Sequence, residues 1–274
     1  MRHTASSRKK FLEDIYSIYH RAEFIHPDPL EFLHRYERPG DREVVGFLAS
    51  SLAYGRVAQI LKSISMVLDE MGNFPRLFLV MASREELQRA FSGFKHRFTS
   101  DVELLDLLYA LGKVISIHGS LYGCFMKGYD PGRPDISEAL EAFVQELRLH
   151  MKEGDNSLLP CPARQSACKR LHLFLRWMVR EDAVDPGGWK EVSPAKLIVP
   201  LDVHMHRIGR ALGMTTRRQA DLRTAVEITR GFRNIAPDDP VRYDFSLTRI
   251  GIRNDFDKRT AMNLKTYCRS PRIP

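Results

Sequence analysis

The chain has 274 residues, 43% of them hydrophobic and 28% charged, a balance that excludes global disorder and leaves room for one large domain or two modest ones sharing a groove. The formal net charge is +8 and the pI is near 9.4, which fits a polyanionic partner without naming one. No apolar run approaches the length of a membrane span, and the opening MRHTASSRKK lacks the apolar core of a signal peptide, so a cytoplasmic protein is expected.

The predicted elements are helical along nearly the whole chain. FLEDIYSIYHRAEFI starts an amphipathic helix, and PDPLEFLHRY follows it with a proline at the turn. ERPGDREVVGFLASSLAYG carries a turn signal, then Asp41 as the expected cap, then an apolar run broken at Gly55. RVAQILKSISMVLDEMG reads as a helix ending at Gly72. FPRLFLVMA and SREELQRAF are shorter, the second opening with Ser83 and Glu86 in capping-box spacing. TSDVELLDLLYALGKVISIHG and DISEALEAFVQELRLHM are strong helices.

Two irregular stretches punctuate the second half: the polar, proline-bearing KEGDNSLLPCPARQS and the turn cluster in EDAVDPGGWKEVSP. Between them, SACKRLHLFLRWMV has an apolar stripe of Leu171, Phe174, Leu175 and Met178, which leaves Lys169, Arg176 and Arg180 mostly outside it. Trp177 and Trp189 read as packing anchors. No alternating segment argues for a sheet, and the closest, LIVPL, is cut by Pro200. The expected class is all-α. Cys124, Cys161, Cys168 and Cys268 are scattered, with neither a zinc-type pair nor a disulfide framework.

The most informative stretch is LDVHMHRIGRALG. Pro200 biases the residue before it away from helix, and Asp202 is a good N-cap whose carboxylate accepts from first-turn amides. Met205, Ile208 and Leu212 recur at helical spacing, and Gly213 falls where a left-handed C-cap is needed. The helix start favours ionised Asp202, and Arg207 and Arg210 lie beyond it. A carboxylate so placed can stabilise a developing sugar cation while phosphates are gripped nearby; an ordinary cap is the plainer reading. His204 and His206 diverge by about 200° on a helix, so no shared metal is expected.

This stretch resembles the catalytic-Asp helix of the helix-hairpin-helix DNA glycosylases, the endonuclease III and 8-oxoguanine glycosylase superfamily, with Leu201, Asp202, Val203, His204 and Arg207 carrying the likeness. The segments FLASSLAYGRV, SACKRLHLFLRWMVR, DPGGW, PLDVHMHRIGRALG and TAVEITRGFRNIAPDDPVRYDFSLTRIGI resemble more closely the uncharacterised DUF2400 family related to those enzymes. The resemblance implies a two-lobed helical fold with a degenerate hairpin. Residues 40–192 would form a central barrel lobe, 1–39 with 193–274 the second, and a groove between them would take DNA.

It also implies roles. Lys169 falls where bifunctional members place a nucleophilic lysine, whose amine attacks sugar C1′ as the base leaves and gives a Schiff base. A solvated lysine on a polar helix face is the alternative. Gln165, Ser166 and Ala167 stand where the family has Gly-apolar-Gly, so close approach to phosphate is less assured. Arg170 adjoins Lys169 as a cationic neighbour. SLAYGRV resembles the place of the wedge residue that fills the gap left by a flipped base. Gly55 stands there, and Tyr54 by stacking or Arg56 by stacking and phosphate contact would serve, unless Tyr54 is simply buried beside a capping glycine. His204 takes a groove-facing or cap-supporting role. Arg207, Arg210 and a subset of Arg217, Arg218, Arg223, Arg230 and Arg233 would form a phosphate track. Tyr243 and Phe245 resemble a late core helix.

Many endonuclease III relatives hold an iron–sulfur cluster on four closely spaced C-terminal cysteines; after Ile252 only Cys268 is present, so no cluster and no other cofactor is expected. The expected partner is double-stranded DNA with a flipped base, bound by a monomer. A non-catalytic DNA- or RNA-binding module, and a member binding a small molecule or protein, remain the alternatives.

Overall fold

The computed structural model describes residues 5–152 and 155–252; Cys268 and the rest of the C-terminal stretch lie outside the described residues. The fold is all-α. Its helices are α1 (Ala5–Tyr19), α2 (Pro39–Ser51), α3 (Val57–Met71), α4 (Pro75–Met81), α5 (Arg84–Ala90), α6 (Asp101–His118), α7 (Leu121–Gly128), α8 (Ser137–Leu149), α9 (Lys169–Val179), α10 (Val203–Ala211), α11 (Leu222–Arg233) and α12 (Asp244–Ile252). Among the described residues the only strands are β1 (Lys95–His96) and β2 (Thr99–Ser100), an antiparallel hairpin of two residues each.

The core is built around α2, which packs on α4, α7 and α9. Val44, Val45, Phe47, Leu48 and Ala49 are fully buried, so this helix is apolar nearly all round, as a central helix must be. Gly46 lets Leu33, Phe174 and Met178 approach its backbone; an added Cβ would stand 3.1 Å from Leu33. Trp189 stacks edge-on to Phe174 at 5.2 Å and donates its indole N–H to buried Glu43 at 3.0 Å. Trp177 and Trp189 are both core residues, as are Tyr243 and Phe245.

Most boundaries follow local chemistry. The Ser83–Glu86 capping box closes on α5, and Gly72 and Gly119 end α3 and α6 with positive φ. Two expectations are corrected. PDPLEFLHRY is a 3₁₀ segment, Pro29–Arg35, rather than an α-helix, with Asp28 accepting from the Leu30 amide at 3.0 Å. Asp41 does not cap α2: Pro39 starts the helix, since its fixed φ suits the first position, and the Asp41 carboxylate accepts from the Arg76 amide at the start of α4 at 2.9 Å. The segment Lys95–Ser100, which shows no helical or strand pattern, closes the small hairpin. No single helix among the described residues is long and apolar enough to cross a membrane.

Candidate active site

Helix α9 begins at Lys169, two residues before the first member of its apolar stripe, Leu171. Cys168 adopts a left-handed conformation at φ +40°, so Lys169 becomes the first helical residue rather than an interior one. Gln165, three residues earlier, is also left-handed at φ +58°. A non-glycine residue in that region costs roughly 1–2 kcal/mol, so the turn from Gln165 to Cys168 is strained. It is held by α11: Ser166 pairs with Asp221, and the Leu222 amide donates to the Gln165 carbonyl at 3.1 Å.

Asp202 is the N-cap of α10, as its sequence position requires, and accepts from the Met205 amide at 2.8 Å. Met205, Ile208 and Leu212 face the core and Gly213 turns the chain at φ +68°. Gly209 lets α10 lie against α11, where a Cβ would stand 2.5 Å from Ile228. The two helix starts converge. Lys169 Nζ sits 2.9 Å from Asp202 Oδ2, with 35% of the lysine and 21% of the aspartate side chain exposed. Burial of Asp202 works against its charge, but the Lys169 ammonium, the Met205 amide and His204 outweigh it and hold the carboxyl below its ordinary range. The residues from 170 to 201 do not keep the pair apart. The DPGGW turn folds back along α9, with the Gly187 amide on the Trp177 carbonyl at 3.0 Å and the Trp189 amide on that of Met178 at 2.8 Å.

Beneath this pair the same helix enters a buried ion network. Arg176 and Arg180, expected outside the apolar stripe, are 3% and 4% exposed. Arg176 bonds Asp185 at 3.1 Å and pairs with Asp244; Arg180 pairs with Asp185 and bonds Asp182 at 2.8 Å and Asp239 at 2.9 Å. The correction has a clear cause: the DPGGW turn brings Asp185, fully buried, under α9, and the start of α12 brings Asp244. Burial pushes the Asp244 carboxyl up to about 6; Arg176 opposes the rise and the neighbouring charge of Asp202 adds to it. Asp244 Oδ1 has no hydrogen-bond partner. The sequence alone hides this network because its carboxylates come from two other segments, Asp182 and Asp185 from the turn after α9 and Asp239 and Asp244 from the stretch leading into α12. The only signal was two arginines four apart beside an otherwise apolar face.

The other sequence candidates separate into engaged and free groups. Arg170 is half-buried, donating to the Ser51 and Ser157 carbonyls, both at 2.6 Å, with its guanidinium 5.1 Å from the Tyr54 ring centroid. Tyr54 is half-buried, its hydroxyl donating to the His96 carbonyl at 3.0 Å. Arg56 is exposed at the start of α3, and His204, Arg207 and Arg210 are exposed on α10. His206 contacts the Arg217 carbonyl at 3.0 Å, and Arg217 is tied to Asp221 at 2.5 Å. Arg233 donates to the Ala195 carbonyl at 3.0 Å, whereas Arg218, Arg223 and Arg230 are exposed. Among the described residues no cluster of His, Cys, Asp and Glu has metal-holding geometry. A depression of about 530 Å³ lined by Glu70, Phe78, Met81 and Arg89 shares no residue with the Lys169–Asp202 pair.

The arrangement therefore offers an amine and an ionised carboxylate in hydrogen-bond contact, each at the start of a helix and each partly open, on a surface carrying exposed arginines. No curated protein and no solved structure matches the chain. One family model does match, over residues 28–253, and the chain belongs to that family, described as protein of unknown function (DUF2400).

Proposed function

We propose that this protein binds double-stranded DNA and removes a damaged or non-standard base, in the manner of the helix-hairpin-helix glycosylases, with Lys169 as nucleophile and Asp202 as its partner. The observation that carries the reading is the 2.9 Å contact between Lys169 Nζ and Asp202 Oδ2 across 33 residues of sequence. The proposal keeps the division into a lobe of residues 40–192 and a lobe of 1–39 with 193–274, with a monomer taking DNA in the groove and Arg207 and Arg210 on its phosphates. The chemistry calls for neither metal nor organic cofactor.

In this mechanism the glycosidic bond breaks and its electron pair leaves with the base. Asp202, held ionised, stabilises the positive charge that develops on the sugar. The Lys169 amine bonds to C1′ and its proton passes to Asp202 and on to solvent. Opening of the sugar ring gives a Schiff base, and elimination then breaks the 3′ phosphate ester. The amine must be neutral to attack, so the resting ammonium first releases a proton to solvent as substrate draws the pair apart, and the later elimination passes a C2′ proton to solvent as the phosphate leaves.

Borohydride trapping on a panel of damaged duplexes tests this. A covalent adduct is expected with the native chain and none with Lys169→Gln, while DNA binding persists. Asp202→Asn is expected to slow base release by orders of magnitude, as removal of a transition-state charge does. The mutual neutralisation of Lys169 and Asp202 favours one other reading, a non-catalytic DNA- or RNA-binding module in which the pair only pins two helix starts together. Salt-dependent binding without trapping or base release on any duplex would establish that reading instead.

A further inference from the structure

The hairpin β1–β2 carries an exposed aromatic ring that the active-site reading leaves unused. Phe98 at its tip is 67% exposed, although burying a phenylalanine typically stabilises a fold by about 1.5–3 kcal/mol. Its ring lies against Tyr54 with centroids 5.0 Å apart and planes at 25°. Tyr54 is in turn fixed from below. His96 stands edge-on to it at 4.6 Å, and its hydroxyl shares a hydrogen bond with Thr99 at 2.5 Å. Burial lowers the His96 pKa, and the ring bridges two groups, Nε2 meeting the Tyr54 carbonyl at 3.1 Å and Nδ1 the Ser63 hydroxyl at 2.8 Å. These contacts hold the tip as a shelf over Tyr54.

Cations surround it. Gly55, at φ +103°, leaves bare backbone over which the Arg97 side chain lies; an added Cβ would stand 2.7 Å from Arg97 Cδ. Arg97, Arg56 and Lys95 are all exposed, and among the described residues none of the three has an acid within ion-pair distance. The carboxylate that acts on Tyr54 electrostatically, Glu103, is occupied by the Ser100 and Ser157 amides at 3.0 and 2.9 Å. Three contacts link the shelf to the active site, from Phe98 to Tyr54, from Tyr54 to the Arg170 guanidinium, and from Arg170 to its chain neighbour Lys169.

We infer that Phe98, backed by Tyr54 and flanked by Arg97, Arg56 and Lys95, is a stacking platform for one unpaired nucleobase of a bound DNA strand. An open aromatic face takes any base through its π-surface, and flanking arginines and lysines take the adjoining phosphates. The cations favour a partner of opposite charge, and the open ring beside them fits a nucleobase with its adjoining phosphates. The inference rests on the DNA-binding reading but not on catalysis by Lys169.

The test uses the full-length chain, a duplex carrying a single-base 2-aminopurine bulge, and a fully paired duplex of equal length. Phe98→Ala is expected to weaken binding to the bulged duplex by about 5- to 150-fold, the range for loss of one base–aromatic stack, with little change on the paired duplex. Phe98→Trp is expected to retain affinity, and 2-aminopurine fluorescence should be quenched by the native chain and by Phe98→Trp but not by Phe98→Ala. Since the side chain is exposed, thermal unfolding of Phe98→Ala should match the native protein. Equal affinity and equal quenching for native and Phe98→Ala proteins overturns the platform while leaving salt-dependent DNA binding standing. Absence of binding to either duplex overturns the DNA reading and the platform together. Concentration-dependent self-association that Phe98→Ala abolishes, with DNA binding unchanged, reassigns the patch to an interface between copies of the chain.

Discussion

The two ends of helix α9 hold the same kinds of charge in opposite conditions. At its start, Lys169 meets Asp202 at 2.9 Å with both side chains partly open to solvent. Two turns on, Arg176 and Arg180 are closed in by the buried Asp185 and Asp244, with the half-buried Asp239 at the edge of the network. The inner charges have lost their water and are compensated by one another, so they are fixed parts of the fold and cannot answer to a ligand. The outer pair keeps part of its hydration, and either member can be drawn to a new partner at small cost. Lys169 and Arg176 are seven residues apart and so lie on one side of the helix. The network therefore anchors the helix that presents the lysine.

The comparison fails most visibly if the inner end is dispensable. Arg176→Ala leaves Asp185 and Asp244 buried without their shared cation, and a loss of about 3–5 kcal/mol in unfolding free energy is expected by urea titration. A loss below 1 kcal/mol would show that the network is not closed to water.

The next effect is read against pH. Asp244 is raised to about 6 in the folded chain, whereas an unfolded aspartate titrates near 3.9. The folded state therefore binds more protons between these values. The contribution of Asp244 to stability is fully present below about pH 4 and is lost as pH rises through 6. Asp244→Asn removes this loss, so between pH 4 and 7 its stability should gain on that of the native chain by about 2–3 kcal/mol. Asp202 and Asp182 are depressed instead, and their contributions are present above the unfolded value and lost as pH falls below it. The two windows are separable in one set of urea titrations from pH 2 to 7, and a native-minus-variant difference that is flat above pH 4 would contradict the assignment.

At the outer end, replacing both Arg207 and Arg210 by alanine should lower the slope of log affinity against log salt for duplex DNA by about 2, one phosphate for each. An unchanged slope would remove α10 from the phosphate track. The smallest effect sharpens the contrast with Arg176. Asp202→Asn keeps the cap and gives up a partly solvated ion pair, so the cost in stability should stay under about 1 kcal/mol. A larger loss would place this pair with the inner network and count against its availability to substrate.

Local sequence determined the helices, most of their ends and the cap at Asp202, because periodicity, Ser–Glu spacing and glycine stops act within a few residues. Lys169 and Asp202 were each legible as candidates, but from motif likeness rather than from any sign of contact. Their meeting depends on three tertiary events: the left-handed Cys168 that makes Lys169 the first residue of α9, the DPGGW turn that folds back along the helix, and the Gly209 contact that seats α10 on α11. Arg176 and Arg180 read as solvated because amphipathicity counts charge on one helix and cannot see acids delivered by a turn and by α12. Phe98 carried no signal at all, since a two-residue strand has too few positions to show alternation, and its exposure is decided by where His96 and Tyr54 hold the hairpin. Propensity and capping are settled by neighbours in the chain. The pairing of charges and the exposure of a ring are settled by which distant segments the core brings together.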